Sequence, residues 1–426
     1  MARYIGLDVH KRFIEVCILD VSGRPVYRGK TGCQRDELLH FAQTRLQPSG
    51  RVALESRTNT WPVVAILRPF VAQIVVGNPL KTKAIAEAKV KTDKVDAEVL
   101  AQLLRCDFLP AVWQPDDRTR QWRRWITHRT ALMTHRSRIK NHVHGLLGRL
   151  LIHSPHKLLW TRQGLAWLKS VELPAYERVV LDSELRQLAG VEQELATLDK
   201  HLAGIAKEEP KVQLLMTMPG INYVVALGLL AALGDISRFK DGDHAAAYVG
   251  LTPTTRQSGD HCYHGHITKA GNSQTRWLLT QSAQHAARHP GPIGAFFRRL
   301  SKRKNRNVAI TAVARKLVMI AYLMLKNNEP YRYAKPELMR KKFTALDILS
   351  KGRRSTGAVQ PTKSGLADVY DAAGLPQVTT PEKLTEGERR ILRNNNLRQF
   401  VRELYQPPAK KPGKKKSSGR PAGRPA

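Results

Sequence analysis

The chain contains little cysteine, little acid and no long apolar run, and each shortage excludes a class of protein. Four cysteines are scattered without a Cys-x-x-Cys pair, so neither a disulfide framework nor a zinc ribbon is expected. No run of about 18 apolar residues occurs, so no membrane span is predicted. Asp8 interrupts the first apolar run, which is unlike a secretory signal. We therefore expect a cytoplasmic protein.

The shortage of acid has the strongest consequence for function. Among 426 residues, 71 Lys and Arg face 35 Asp and Glu, which gives a formal net charge of +36. A folded core needs no such excess, and the self-repulsion destabilises a compact chain. A polyanion would relieve it through counterion release. Because the charge is spread over the whole chain, nucleic acid is favoured over a membrane surface.

Residues 1–117 alternate strand and helix patterns. The predicted strands cover 3–9, 12–20, 26–30, 51–55 and 72–76, and the predicted helices between them cover 35–45 and 60–70. Three strands followed by alternating helices and strands suit an α/β RNase H-like (RuvC-like) domain. Such a domain has three antiparallel strands and then parallel additions.

Residues 118–210 predict a helical, coiled-coil middle. In 118–150 the apolar residues keep helical spacing, and the polar face carries no acid. Its basic residues are Arg118, Arg120, Arg123, Arg124, Arg129, Arg136, Arg138, Lys140 and Arg149. An ordinary solvated face mixes both signs, so this face is predicted to lie against phosphates, with a merely solvated face as the alternative.

A heptad pattern follows in the same segment. Its apolar positions are Leu181, Leu185, Leu188, Val191, Leu195, Leu198, Leu202 and Ile205. This seam could pack onto a second subunit or onto the preceding helix of the same chain.

The remaining chain divides by composition into three segments. Residues 211–333 predict a mainly α-helical domain, and residues 334–408 an extension of unassigned role with one helix over 381–405. Residues 409–426 carry Lys and Arg among Pro and Gly with no acid, which predicts a disordered basic tail.

Four carboxylates fall where a metal site could form. Asp8 and Glu55 each end a buried strand, where an unpaired charge is costly. Asp93 and Asp96 lie three residues apart near a helix start, so both face one side. Taken singly, Asp93 or Asp96 could be a helix N-cap or first-turn acid, and Asp8 could be a satisfied buried acid. Together they predict two Mg²⁺ ions, with Mn²⁺ as the alternative, suited to phosphodiester chemistry.

These segments resemble a known family. Ile5-Gly6-Leu7-Asp8-Val9-His10-Lys11, Leu54-Glu55-Ser56, Val76-Gly77-Asn78-Pro79 and Lys91-Thr92-Asp93-Lys94-Val95-Asp96 are similar to the motifs of DEDD insertion-sequence transposases, which include the Piv-type DNA invertases. The resemblance implies that Asp8, Glu55, Asp93 and Asp96 form the metal-binding tetrad of a RuvC-like domain. It also implies a bridge RNA that selects target and donor DNA. After Glu55, where relatives have a small residue and glycine, this chain has Ser56-Arg57.

The second half extends the resemblance. Gly250-Leu251-Thr252-Pro253, Ser258-Gly259 and Lys269-Ala270-Gly271-Asn272 follow the order of motifs in these relatives. By resemblance Ser258 is a nucleophile that forms a covalent DNA–serine intermediate, whereas alone it would be an ordinary turn residue. Ser258 and the tetrad lie on different domains, so they must meet in space, within one chain or across subunits. The nearby His261, Cys262, His264 and His266 match no standard zinc spacing.

Further positions are candidates for nucleic-acid contact. The Pro219-Gly220 turn precedes a helix and resembles a phosphate-binding helix-hairpin-helix turn, with a plain interhelical turn equally compatible. The other candidates are basic: Arg256, Lys269, Arg298, Arg299, Lys302, Arg303 and Lys304. Lys316 is a further possible phosphate ligand.

The sequence hypothesis is therefore an insertion-sequence transposase. It would act on DNA at element ends and target, with a guide RNA, as a dimer or tetramer associated with a bacterial or archaeal nucleoid. Two alternatives stay open. One is a hydrolytic, metal-dependent nuclease of the junction-resolvase type, and the other is a non-catalytic nucleic-acid-binding protein.

Overall fold

A computed structural model describes residues 2–85, 92–352 and 365–405. The predicted basic tail lies outside these residues. The chain divides into two compact units, Met1–Asp116 and Asp117–Ala426, here called unit 1 and unit 2. Unit 1 is a mixed α/β domain and unit 2 is mostly helical.

Unit 1 has the predicted order of strands and helices. Its strands are β1 (Tyr4–Val9), β2 (Phe13–Leu19), β3 (Pro25–Gly32), β4 (Arg51–Glu55) and β5 (Gln73–Gly77). Its helices are α1 (Arg35–Arg45), α2 (Thr60–Leu67), α3 (Pro79–Ile85) and α4 (Asp93–Arg105), with a 3₁₀ turn at Arg68–Phe70. The helix predicted over 60–70 thus ends as a 3₁₀ turn, because Pro69 cannot donate the next backbone hydrogen bond.

The sheet of unit 1 has the strand order β3-β2-β1-β4-β5. β1 pairs antiparallel with β2 and parallel with β4; β2–β3 is antiparallel and β4–β5 parallel. This confirms the predicted arrangement of three antiparallel strands with parallel additions. One face of the sheet packs its Ile, Leu and Val side chains against Leu38 and Phe41 of α1 and Val64 of α2. The other face packs against α4.

Unit 2 is built from helices and one β-hairpin. Its helices are α5 (Asp117–Arg149), α6 (Arg162–Ser170), α7 (Ala175–Glu208), α8 (Pro210–Met216), α9 (Tyr223–Leu233), α10 (Gly242–Tyr248), α11 (Ser273–Ala286), α12 (Pro292–Ser301), α13 (Arg306–Asn327), α14 (Pro336–Ser350), α15 (Leu366–Asp371), α16 (Glu386–Asn394) and α17 (Arg398–Tyr405). Two 3₁₀ turns cover Ile236–Arg238 and Pro381–Lys383, and the hairpin strands are β6 (Pro253–Ser258) and β7 (His261–Ile267).

The heptad seam lies on α7 and packs against α5 of the same chain. Leu188, Val191 and Leu195 form a cluster with Ile139 of α5, and Leu181 packs with Val143. This is the intrachain alternative for the seam. Its buried positions are therefore already covered within one chain.

The core of unit 2 draws on helices from the segment 118–210, from the segment 211–333 and from the extension that follows them. The buried residues Trp122 of α5, Leu202 of α7 and Leu227 of α9 share one core with Leu346 and Tyr370 of the 334–405 extension. Because these side chains are buried together, the extension completes the core.

One helix of this core, α13, is long and apolar enough to span a membrane by length and composition. It packs against α10, α11 and α12, and half of its most apolar window is buried within the unit. Buried core helices commonly pass the same test, so this helix is weak evidence for a membrane span.

Lys342 of α14 fixes the turn between α8 and α9. Its ammonium donates to the carbonyls of Met216, Met218 and Ile221 at 2.7, 2.6 and 2.9 Å. Burial lowers the pKa of Lys342 to about 7. The extension thus supplies hydrogen bonds that a buried turn would otherwise lack.

We predict that Lys342→Met lowers the free energy of unfolding by about 2 kcal/mol, because buried carbonyls lose their donor. Chemical denaturation at constant pH measures the loss. Between pH 7 and 10.5 an unfolded lysine holds a proton that folded Lys342 has released, so stability rises with pH. Wild type should therefore gain stability relative to the variant over that window. An unchanged free energy of unfolding, or a pH-independent difference, would contradict this role.

Candidate metal centre and serine hairpin

The face of the sheet covered by α4 brings two carboxylates to neighbouring strand ends. Side chains alternate along β1, so Gly6 and Asp8 share this face while Leu7 points to the opposite one. In the parallel register Gly6 aligns with Ala53 of β4. Glu55, two residues after Ala53, therefore lies on the same face as Asp8.

The first turn of α4 supplies the other two acids. Thr92 caps this helix by accepting a hydrogen bond from the Val95 amide, and Asp93 and Asp96 follow in the first turn. The helix lies directly on the β1 backbone, because a Cβ atom at Gly6 would lie 1.9 Å from the Ala97 carbonyl oxygen. Glycine at position 6 therefore sets the approach of α4 to Asp8.

Asp8 is the centre of this cluster, with a side chain only 2% exposed. Its Oδ2 lies 2.9 Å from His10 Nε2, which in turn lies 3.3 Å from Asp93 Oδ2. The potential ligand atoms of Asp8, His10 and Asp93 all lie within 4.8 Å of one another. Arg57 Nη2 lies 3.0 Å from Asp8 Oδ1 and 3.9 Å from Glu55 Oε2.

Electrostatics favours a cation at this point. Burial raises the pKa of Asp8, and the neighbouring Asp96 adds to the rise. Arg57 and His10 oppose it by stabilising the carboxylate. A buried carboxylate beside further acids requires nearby positive charge.

The donor set fits a divalent metal ion. Asp8, Glu55, Asp93 and Asp96 offer carboxylate oxygens, which hard divalent cations prefer. Asp8 is buried beside further acids, so a bound cation would offset negative charge there. Of the four, the structure groups the ligand atoms of Asp8 and Asp93, together with His10.

Three residues in or beside this cluster have no role predicted from the sequence. His10 and Arg57 each lie two positions beyond a strand-end acid, the spacing that puts side chains on one face. Glu15, opposite Asp8 in the β1–β2 register, is also buried and pairs with Lys30 at 2.8 Å. The sequence signal for Glu15 was its position among apolar residues within a strand, where an acid indicates a buried charge with a partner. The departure from the family pattern after Glu55 supplies the Arg57 guanidinium.

Ser258 lies at the tip of the β6–β7 hairpin in unit 2. It pairs with His261 across a Gly259-Asp260 turn in which Gly259 has φ +55°. Residues 254–263 are all exposed. A two-stranded hairpin without a covered face has little stability of its own, so its tip is available to a binding partner.

The base of this hairpin is held tightly, in contrast to its tip. Gly250 and Gly271 have positive φ, and a Cβ atom at either would lie within 2.2 Å of a backbone oxygen of the other turn. Arg276 donates to the carbonyls of Val249, Ala270 and Gly271 at 2.9–3.1 Å. The two glycine motifs therefore form one rigid support from which the hairpin extends.

Within the side chains that the structure describes, the histidines near Ser258 belong to no metal-binding group. Among the residues described, the three-ligand grouping is that of Asp8, His10 and Asp93. His261, Cys262 and His266 lie along the hairpin and are exposed or partly exposed.

The basic residues of α5 separate into two groups. Arg118, Arg129 and Lys140 pair with Glu209, Asp199 and Glu192. Arg123 donates to the Ala231 carbonyl at 2.7 Å and is half-buried. Arg120 pairs with Asp117, and Arg149 lies 3.9 Å from Glu177. No carboxylate partner within the described residues contacts the last three arginines, which are Arg124, Arg136 and Arg138. Acids of α7, together with Glu209 directly after it, thus partly neutralise the acid-free stretch.

The other candidates for nucleic-acid contact also differ in exposure. Arg256, Lys269 and the run Arg298, Arg299, Lys302, Arg303 and Lys304 are exposed. Gly220 lies in the turn whose carbonyls bind Lys342, and a Cβ atom there would lie 2.3 Å from the Ser282 carbonyl oxygen. These contacts are those of an interhelical turn, the alternative considered for it.

We predict that Gly6→Ala weakens Mn²⁺ binding at least tenfold, because the added methyl displaces α4 and with it Asp93 and Asp96. Isothermal titration calorimetry measures the affinity. Gly148→Ala is the control, since nothing lies within 4 Å of the added atom. Equal affinities for wild type and Gly6→Ala would show that the approach of α4 does not position the acids.

Comparison with known proteins matches both halves of the chain. The DEDD model of the IS110 type, described as "Transposase", matches residues 5–152, and the model "Transposase IS116/IS110/IS902 family" matches residues 212–298. Together they match more than half of the chain.

Individual relatives agree with the family models. The "Insertion element IS116 uncharacterized 44.8 kDa protein" of Streptomyces clavuligerus is 25% identical over 78% of this chain and 97% of its own length. The "Transposase for insertion sequence element IS1111A" of Coxiella burnetii is 23% identical over 78% of this chain and 91% of its own. The "Pilin gene-inverting protein" of Moraxella bovis is 28% identical over 61% and 74%. The chain belongs to the IS110/IS116 family of insertion-sequence transposases.

Proposed function

We propose that this protein is a transposase that cuts and rejoins DNA at the ends of its own element and at a target. The observation that carries the proposal is the buried carboxylate of Asp8, grouped with Asp93 on the α4 face of the sheet. In a chain with a net charge of +36, an acidic centre of this kind suits phosphodiester chemistry. We assign the fold of unit 1 to the RNase H-like, RuvC-like class on its sheet order.

We assign Asp8, Glu55, Asp93 and Asp96 as ligands of two Mg²⁺ ions, with Mn²⁺ as a substitute. When bound, such a pair supplies charge stabilisation for the attacking and leaving oxygens of a displacement at phosphorus. In this assignment the chain itself orients the acids through Gly6 and α4. Arg57 and His10 balance the charge of Asp8.

We assign Ser258 as the nucleophile. Its Oγ would form a bond to the scissile phosphorus while the bond from phosphorus to one deoxyribose oxygen breaks. The serine hydroxyl proton would pass to solvent or a nearby base, and the released deoxyribose oxygen would take up a proton to become a hydroxyl. The phosphodiester energy stays in the serine–phosphate bond for rejoining. Exposure of Ser258 at a hairpin tip on a rigid support favours this role.

We also propose a guide RNA and a homo-oligomer. The α7 seam is covered by α5, so a dimer or tetramer would use other surfaces, such as the exposed hairpin. An oligomer would allow Ser258 of one subunit to act with the acids of another.

A trapping assay tests the proposed chemistry. Purified protein with Mg²⁺, its co-purified RNA and labelled element-end DNA is resolved on a denaturing gel. We expect a protein–DNA adduct in wild type and none in Ser258→Ala or Asp93→Ala. Ser301→Ala and Asp36→Ala, which change exposed residues of the same types, should retain it.

Two outcomes would favour the alternatives. Cleavage without an adduct that persists in Ser258→Ala would indicate a hydrolytic nuclease, in which water is the nucleophile. No cleavage by wild type, with DNA binding retained, would indicate a non-catalytic nucleic-acid-binding protein.

The α5 surface gives a separate prediction about RNA. Replacing Arg124, Arg136 and Arg138 with Gln should lower the slope of log affinity against log salt for the co-purified RNA by about 2, because three phosphate contacts are lost. Electrophoretic mobility shifts at several salt concentrations measure the slope. Replacing the exposed Lys335, Arg340 and Lys341 of unit 2 removes equal charge and should leave it unchanged. Equal effects of both triple variants would exclude a specific α5 surface.

A further inference from the structure

A cavity of about 590 Å³ lies between α12, α13, α16 and the segment 329–333 of unit 2. This volume is within the range of about 300–1,000 Å³ that is usual for small-ligand sites. Apolar side chains form much of its wall, including Phe296, Ile320 and Met324. At its edge Leu323 and Ile391 are 53% and 55% exposed, so apolar surface is open to solvent there.

The charges in the wall leave a positive excess. Its two carboxylates, Glu329 and Glu388, both pair with Arg332, at 2.7 and 2.5 Å. No carboxylate partner in the described ranges contacts Arg299 or Lys316, which also line the cavity. The exposed basic run from Arg298 to Lys304 begins at the same place. A ligand with both an apolar body and a negative charge would satisfy this wall.

The polar groups present suit a ring that carries hydrogen-bonding edges. Asn327, Asn394 and Asn395 line the cavity, and amides both donate and accept. Phe296 and Tyr333 line the cavity, and aromatic rings can stack on a base. The hydroxyl of Tyr331, a buried lining residue, has no hydrogen-bond partner in the described structure.

We propose that this cavity binds one unpaired nucleotide of a nucleic acid, with the base inside and its phosphate at Arg299 and Lys316. The proposal rests on the proposed nucleic-acid binding but not on the metal or serine chemistry. The base would stack on an aromatic face, and the strand would continue along the Arg298 to Lys304 run. The extension contributes α16, so it takes part in nucleic-acid binding as well as in the core.

The test uses full-length protein and ten-nucleotide single strands, as DNA and as RNA, with a fully paired DNA duplex for comparison. Leu323→Trp on α13 and Ile391→Trp on α16 narrow the cavity at exposed positions. We expect each to weaken single-strand affinity roughly tenfold in fluorescence anisotropy and to leave duplex affinity unchanged. A loss of affinity for single-stranded DNA, for single-stranded RNA or for both would support the site and show which nucleic acid occupies it.

A charge-matched pair separates the cavity from general electrostatics. Lys316→Gln should weaken single-strand binding several-fold, whereas Lys326→Gln on the same helix, which does not line the cavity, should have little effect. Photocrosslinking of strands that contain 5-iodouracil should label a peptide with Phe296 or Tyr333.

Three results would overturn the site. The first is unchanged single-strand affinity in both Trp variants, provided that they retain wild-type thermal stability. The second is an equal loss of affinity for single strand and duplex, and the third is an equal effect of the two lysine changes on single-strand binding. If wild type binds neither strand nor duplex, nucleic-acid binding itself fails. If wild type binds nucleic acid but the variants do not differ from their controls as expected, only the proposed nucleotide site is contradicted.

Discussion

Burial of the Asp8 carboxylate in the central strand is the constraint on which unit 1 depends. A charge 2% exposed at this position is tolerable only if the surrounding chain compensates it. His10 and Arg57 do so directly. The lack of a side chain at Gly6 lets α4 approach closely, which brings the further negative charges of Asp93 and Asp96 to the same place. Stability alone would favour an apolar residue here, so the cluster is understandable as a site for a cation.

Much of the fold of unit 1 could be predicted, because its strands and helices can be recognised from patterns within short stretches of sequence. Alternation along β1 and β4 identified the strands and their acids, and the strand order followed from the sequence of elements. The same alternation could have identified His10 and Glu15. The contact of Arg57 with Asp8 was less accessible, because it depends on how the loop after Glu55 turns.

In unit 2 the informative contacts join residues far apart in sequence. Lys342 binds carbonyls more than 120 residues earlier, and Arg129 pairs with Asp199 across two antiparallel helices. Periodicity shows that a helix is amphipathic but not which neighbour neutralises its charges. The sequence therefore predicted a basic face on α5 without nearby acids, whereas in the structure acids of α7 pair with several of its residues. The role of the extension could not be predicted from the sequence either, because its buried residues pack against residues far away in the chain.

The most direct test of this account is the binding of Mn²⁺ to the purified protein, followed by electron paramagnetic resonance without nucleic acid. We expect two saturable ions per chain in wild type and loss of at least one in Asp8→Asn, a change that keeps the side-chain shape while removing its charge. Unaltered Mn²⁺ binding in Asp8→Asn, or no saturable binding in wild type, would contradict the claim that the carboxylates around Asp8 form the metal centre.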